Sequence, residues 1–159
     1  MNKTYLLLGS NRGNSKVQLL KAITLIEEKI GKITRRSSLY ATAAWGNTSQ
    51  PDFLNQVIVV NTGLNARQTM QTILQIEKKM GRVRTVKNAP RIIDIDILFF
   101  NKEIIREETL QVPHPQIQNR RFVLTPLNEL VPNLQHPVLK KNIHHLFIHC
   151  PDNLGVKKF

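Results

Sequence analysis

The sequence predicts an α+β sandwich in which two strand–helix–strand units share one antiparallel sheet. Three observations lead there. A short apolar strand, Thr4 to Leu8, is followed closely by apolar residues at helical spacing. A β-branched run, Val57-Ile58-Val59-Val60, is again followed by a helical pattern. A third apolar stretch, Ile92 to Phe100, closes the series, giving the order β-α-β-β-α-β and a C-terminal extension.

Each element has its own warrant. Gly9-Ser10-Asn11-Arg12-Gly13-Asn14 is rich in residues that tolerate positive φ and predicts a turn. Leu19, Ile23, Ile26 and Ile30 predict a helix, with Gly31 as its stop. Residues 33–42 read as a strand and residues 43–50 as a polar loop. Phe53 to Thr62 is the strongest strand of the first half. Asn65 followed by Gln68 has the form of a capping box, and Met70, Ile73 and Met80 mark the helix it opens, ending at Gly81. Residues 82–90 form a basic loop, which Pro90 keeps from continuing as helix. Leu110 to Pro115 is extended, and Asn119 to Leu130 is helical, with Pro126 bending or interrupting it. The tail after Leu130 carries no clear pattern. All 159 residues are assigned to a single domain. The element order matches a ferredoxin-like sandwich, one antiparallel sheet covered by two helices. That fold serves many unrelated functions, so function must come from a site.

Charge narrows the function classes. Lys and Arg number 23 against 11 Asp and Glu, a net charge of +12, so the chain should attract polyanions. Nucleic acid is the first thought. However, Arg82, Arg84 and Arg91 lie close to Asp94 and Asp96, and a surface for a nucleic-acid backbone has little use for two carboxylates among its arginines. A metal–triphosphate complex needs both signs together. The first apolar run, Tyr5 to Leu8, is too short for a signal core or membrane span. Cys150 is the only cysteine, which fits a reducing cytoplasm.

Asp94 and Asp96 are the most informative residues. On a strand they share a face, roughly 7 Å apart, while Ile93, Ile95, Ile97 and Phe99 are expected on the other face. Like charges beside so apolar a segment need neutralising. Hard oxygen ligands suit Mg²⁺, which takes one or two carboxylates and completes its shell with phosphate and water. The bland alternative is a solvated pair matched to nearby arginines. No glycine-rich phosphate motif occurs, so Arg82, Arg84, Lys87 and Arg91 would hold phosphates through their side chains. Glu77 falls on the apolar stripe of its helix, near a C-terminus that disfavours carboxylates, and needs Arg82 or Arg84 as partner. It either forms a buried structural ion pair or positions the loop or metal waters. Phe53 and Asn55 share a strand face, a ring beside an amide, which suits a flat heterocycle with a lactam edge. Phe122 could supply a second ring.

Several stretches together resemble the 6-hydroxymethyl-7,8-dihydropterin pyrophosphokinase family. They are Gly9-Ser10-Asn11, Trp45-Gly46 before Gln50-Pro51-Asp52-Phe53-Leu54-Asn55, and Glu77 with Gly81-Arg82-Val83-Arg84. Pro90-Arg91 before Ile92-Ile93-Asp94-Ile95-Asp96-Ile97-Leu98 follows, then Val112-Pro113-His114-Pro115 before Asn119-Arg120. The likeness runs in order from Leu8 to about Leu130. It implies transfer of diphosphate from Mg·ATP to a reduced pterin alcohol, giving AMP and the pterin diphosphate, with two Mg²⁺ ions. It implies Asp94 and Asp96 as metal ligands, and Phe53, Asn55 and Phe122 as pterin contacts with Thr42 and Trp45 beside them. Arg82, Arg84, Arg91, His114 and Arg120 fall on nucleotide and phosphate contacts, and Glu77, Lys87 and Ile97 are placed on the nucleotide side with them. The chain departs from the family pattern at Asn88-Ala89, where Trp-Gly is frequent, at Ala44 and at Pro115. The altered loop leaves Trp45 as the expected lid residue.

Two rivals share parts of the pattern. An RNA-recognition module should carry aromatic residues on its inner strands, where Val57-Ile58-Val59-Val60 is aliphatic. A non-catalytic nucleotide sensor has no need of Phe53 with Asn55. The expected partners are therefore ATP and a reduced pterin, with no nucleic acid and no membrane, for a monomer in the cytoplasm.

Overall fold

The computed structural model describes residues 1–43, 51–82 and 91–159. The loop expected over 43–50 and the basic loop over 82–90 therefore fall almost wholly outside the described residues. The elements run β1 (Asn2–Ser10), α1 (Ser15–Lys29), β2 (Gly31–Arg36), β3 (Tyr40–Thr42), β4 (Phe53–Thr62) and α2 (Ala66–Lys79). They continue with β5 (Asp94–Phe100), β6 (Ile105–Arg106), β7 (Gln111–Val112), α3 (Arg121–Leu130), α4 (Ile143–Ile148) and β8 (Val156–Lys158). Both main helices begin as their side chains dictate. Asn14 accepts a hydrogen bond from the Val17 N–H, and Asn65 and Gln68 form a reciprocal capping box.

The main sheet is ordered β5-β1-β4-β3-β8, with β2 also paired to β4, and every pairing is antiparallel. Strands β1 and β2 are thus parallel with β4 between them, and β4 and β5 are parallel with β1 between them. This is the ferredoxin-like arrangement, its second strand split into β2 and β3. The split has a local cause. The Ser37 N–H still donates to the Val57 carbonyl at 2.8 Å, but its Oγ accepts the Val57 N–H and its carbonyl accepts from Gln56 Nε2, so side chains take over part of the ladder there.

Two cores lie on the two faces. One gathers Leu19, Ile23 and Ile26 of α1 and Ile73 and Ile76 of α2 against Leu6, Leu8, Ile58 and Ile95. The other packs Val123, Leu124 and Leu127 of α3 and Ile143 and Leu146 of α4 against Tyr5, Leu7, Val57 and Val59. The sheet is therefore covered on both faces: the helix expected over Asn119–Leu130 is α3 and packs with α4 on the second face, where the sequence led to a sheet covered by two helices. Three further expectations change. Gly9 and Ser10 belong to β1 rather than to a turn. Gly31 does not cap α1 but opens β2, where a Cβ would come within 2.0 Å of the Asn61 carbonyl oxygen. Phe99 lies in the second core, away from Ile95 and Ile97. A bulge explains it: Tyr5 pairs with Phe99 and Leu6 with Ile97, so Leu98 is an extra residue and the alternation shifts phase. Gly81, by contrast, ends α2 as expected, at φ +90°. Among the described residues no helix is long and apolar enough to cross a membrane.

Candidate active site

Four strands contribute to one row across the sheet. Asp94 of β5 pairs with Gly9 of β1, Gly9 with Asn55 of β4, and Asn55 with Tyr40 of β3. Directly paired residues project to the same face. Two residues inward, Asp96 pairs with Leu7 and Leu7 with Val57, both in the core under α3. Two residues outward, Phe53 pairs with Thr42. Asp94, Asp96, Phe53, Asn55 and Thr42 therefore share the α3 face at one end of the sheet. Between the carboxylates and the amide stands Gly9, and a Cβ there would lie 3.0 Å from Asn55 Nδ2. The absence of a side chain leaves an open floor.

The carboxylate side is strongly charged. Asp94 meets Arg82 through Oδ1 at 2.6 Å and Arg91 through Oδ2 at 3.2 Å. Arg82 also meets Glu77 at 2.8 Å. Burial alone would lower the Arg82 pKa, but Asp94 and Glu77 more than offset it and hold the group above its ordinary value. Glu77 is buried, and the same Oε2 accepts the Ile95 N–H at 2.8 Å. The last turn of α2 is thereby fastened to β5 between the two aspartates. The sequence left two roles for Glu77 open; its observed contacts are those of a buried ion pair that positions the strand.

Burial and the negative charges of Asp94 and Glu77 push the Asp96 carboxyl up to about 7, against the pull of Arg120 and Arg82. A carboxylate disfavoured first by burial and then by its acidic neighbours is one that a bound divalent cation would stabilise. The oxygen pair fits Mg²⁺ bound partly by protein and partly by phosphate and water. Among the described residues no group of three or more His, Cys, Asp or Glu is arranged to hold a metal by itself.

His114 and Arg120 border the same charges. Burial, then Arg120, lowers the His114 pKa to about 4, with Asp94 opposing. The imidazole is neutral at pH 7. Its Nδ1 accepts the Gln116 N–H at 3.1 Å, which assigns the ring proton to Nε2. The His114 N–H is held by the carbonyl of Leu98, the bulge residue, at 3.0 Å. Arg120 lies 5.8 Å over the Phe122 ring, which packs at the margin of the α3 core.

On the amide side, Asn55 Oδ1 and Thr42 Oγ1 are buried without a hydrogen-bond partner among the described residues. Buried polar atoms are rarely left so without a reason, and these two lie on one face beside Phe53.

The structure thus gathers Asp94, Asp96, Glu77, Arg82, Arg91, His114 and Arg120 on one side and Thr42, Phe53 and Asn55 on the other. Ile97 is the exception, because alternation turns its side chain into the core under α1 and α2 and leaves only its main chain for a ligand. Trp45, Arg84 and Lys87 lie outside the described residues. Sequence reasoning missed Gly9 as the floor and Asn11 as a clamp. Asn11 Oδ1 accepts the Arg91 N–H at 2.8 Å, and its Nδ2 donates to the Pro51 carbonyl at 3.3 Å. Both residues sit in a stretch whose composition reads as a turn, and only the strand register gives them these places.

Comparison with known proteins gives the family and the fold. A family model described as 7,8-dihydro-6-hydroxymethylpterin-pyrophosphokinase matches residues 5–132. A protein of Aquifex aeolicus named 2-amino-4-hydroxy-6-hydroxymethyldihydropteridine pyrophosphokinase is 42% identical over 141 residues, 89% of this chain and 88% of its own length. The Bacillus subtilis protein of the same name is 41% identical over 81% of this chain and 78% of its own. The folic acid synthesis protein fol1 of Pneumocystis carinii is 39% identical over 90% of this chain, which spans only 19% of that longer protein. Among solved structures, Plasmodium falciparum HPPK-DHPS shares the fold at a TM-score of 0.75 and 23% identity, over 93% of this chain and 43% of that one.

Proposed function

Because the chain belongs to the 7,8-dihydro-6-hydroxymethylpterin-pyrophosphokinase family, it is an ATP-dependent diphosphotransferase of folate biosynthesis, and we propose that its reaction runs across the Asp94–Gly9–Asn55 row. The pterin occupies the amide side. Asn55 and Thr42 bond its polar edge, and Phe53 and Phe122 flank its rings. ATP occupies the charged side, with Arg82, Arg84, Lys87, Arg91, His114 and Arg120 on its phosphates. Two Mg²⁺ ions held by Asp94 and Asp96 would, when bound, neutralise the triphosphate and withdraw charge from the reacting phosphorus.

The protein's own work is positioning. The pterin hydroxymethyl oxygen sits over Gly9, where no side chain separates it from the β phosphorus, and attacks in line while AMP leaves. Arg82 and Arg91, paired with Asp94 in the free protein, turn to phosphate oxygens as the substrates enter. Neutral His114 donates from Nε2 and adds no charge. Glu77 keeps Arg82 and β5 in register, and Trp45 closes over the pterin to keep water from the diphosphate. The protein acts as a cytoplasmic monomer with no nucleic-acid partner.

The observation that carries this reading is the pair of buried oxygens of Asn55 and Thr42, without a partner among the described residues, on the same face as the two carboxylates. The test is AMP release from Mg·ATP. It should require added 6-hydroxymethyl-7,8-dihydropterin, and AMP release that ignores the pterin would overturn the reading.

A further inference from the structure

We propose that the C-terminal segment, Cys150 to Lys158, is a strap that positions both sides of the substrate site, with Asp152 as its anchor. The inference rests on the assignment of Arg120, Phe122 and Thr42 to the substrates. Helix α3 begins without a cap of its own, because the residue at its N-cap, Arg120, makes no side-chain capping bond. Asp152, from the tail, supplies one. Its buried carboxylate accepts the Arg121 N–H at 3.0 Å through Oδ2, and the Leu154 N–H at 2.9 Å through Oδ1. The Arg121 side chain answers by donating to the carbonyls of Asp152 at 2.9 Å and Cys150 at 3.3 Å, while its guanidinium lies 5.4 Å over the Phe147 ring.

Arg121 stands between Arg120 and Phe122, so fixing its main chain fixes the direction in which both neighbours leave the first turn. The strap then continues as β8 onto β3. Val156 pairs with Thr42 and Lys158 with Tyr40, and the Phe159 N–H donates to the Leu39 carbonyl at 2.8 Å. Strand β3 is three residues long and ends at Thr42. Without β8 it would be a short sheet edge held on one side only. One segment of chain thus ties down the start of α3 and the strand opposite it. Glu129 of α3 reinforces the link, accepting from the Tyr40 hydroxyl at 2.7 Å and the Ser38 hydroxyl at 2.9 Å. Asp152 has no part in the chemistry; it is a positioning residue.

The test compares Asp152→Ala, Asp152→Asn, a chain ending at Leu154, and Phe122→Ala, by calorimetric binding of pterin with a non-hydrolysable Mg·ATP analogue, well below each melting midpoint. Asp152→Ala should weaken pterin binding about fivefold, the scale of a lost helix cap. Asp152→Asn, which keeps an acceptor for Arg121, should recover most of that loss. The shortened chain should weaken pterin binding through Thr42 with Asp152 intact. Pterin affinity within twofold of the parent in Asp152→Ala, or in the chain ending at Leu154 if the alanine variant does not fold, would overturn the strap provided that Phe122→Ala weakens binding. Unchanged binding in Phe122→Ala would overturn the site assignment and the strap with it.

Discussion

Replacing Asp96 by Asn should make the protein more stable and less active at once, and the size of the gain depends on pH. In the folded chain, burial and the charges of Asp94 and Glu77 raise the Asp96 pKa from 3.8 to about 7. Between these values the folded state holds a proton that the unfolded state has released. Stability therefore falls as pH rises from about 4 to about 7, and is level above that. A shift of about three units in one isolated group corresponds to roughly 4 kcal/mol. Sharing of the proton with its acidic neighbours and access of water reduce this, so the loss at pH 8 should be about 1–3 kcal/mol. Asn carries no charge and avoids it. Thermal unfolding of Asp96→Asn without Mg²⁺ should match the parent near pH 4 and lie roughly 2–10 °C above it at pH 8. Pterin-dependent AMP release should fall at least about a hundredfold. An unfolding midpoint that does not gain on the parent as pH rises would refute the account of a carboxylate held at a folding cost for its cation.

Other substitutions probe the remaining parts. Asn55→Ala should weaken pterin binding by about 1–3 kcal/mol and ATP binding much less. It should leave the free protein no less stable, since Oδ1 has no partner to lose among the described residues; calorimetry showing equal losses for both ligands would make Asn55 structural. Gly9→Ala should force the Asn55 amide aside, because the new Cβ would lie 3.0 Å from Nδ2, and a pterin KM unchanged from the parent would contradict the floor assignment. Glu77→Ala strips Arg82 and the Ile95 N–H of a buried carboxylate and should cost about 3 kcal/mol in urea unfolding. A loss under 1 kcal/mol would show that Arg82 is satisfied without it.

Features that rest on a local period are legible in the amino-acid sequence. The capping box at Asn65 and Gln68, the strand Phe53–Thr62 and the shared face of Asp94 and Asp96 all follow from local spacing, which chain chemistry enforces. What escapes depends on register or on partners far along the chain. Gly9 looks like a turn residue until β1 is laid between β4 and β5. Phe99 changes face because of one extra residue that no alternation rule announces. The tail shows no pattern because α4 has six residues and β8 three, too short for a period to emerge. Asp152 caps a helix that begins 31 residues earlier.

The extra residue in β5 also divides the strand into two territories. Before Leu98, the α3 face carries Asp94 and Asp96; beyond it, Leu98 and Phe99 both enter the apolar core of that same face. A regular strand would have had to interleave these demands. Polar and apolar duties are instead partitioned along a single seven-residue strand, and the displaced carbonyl at the boundary grips the His114 N–H. Deleting Leu98 would therefore do more than restore a regular register: Phe99 would stay opposite Tyr5, but the core would lose Leu98 and His114 would lose the carbonyl that tethers it in the same event.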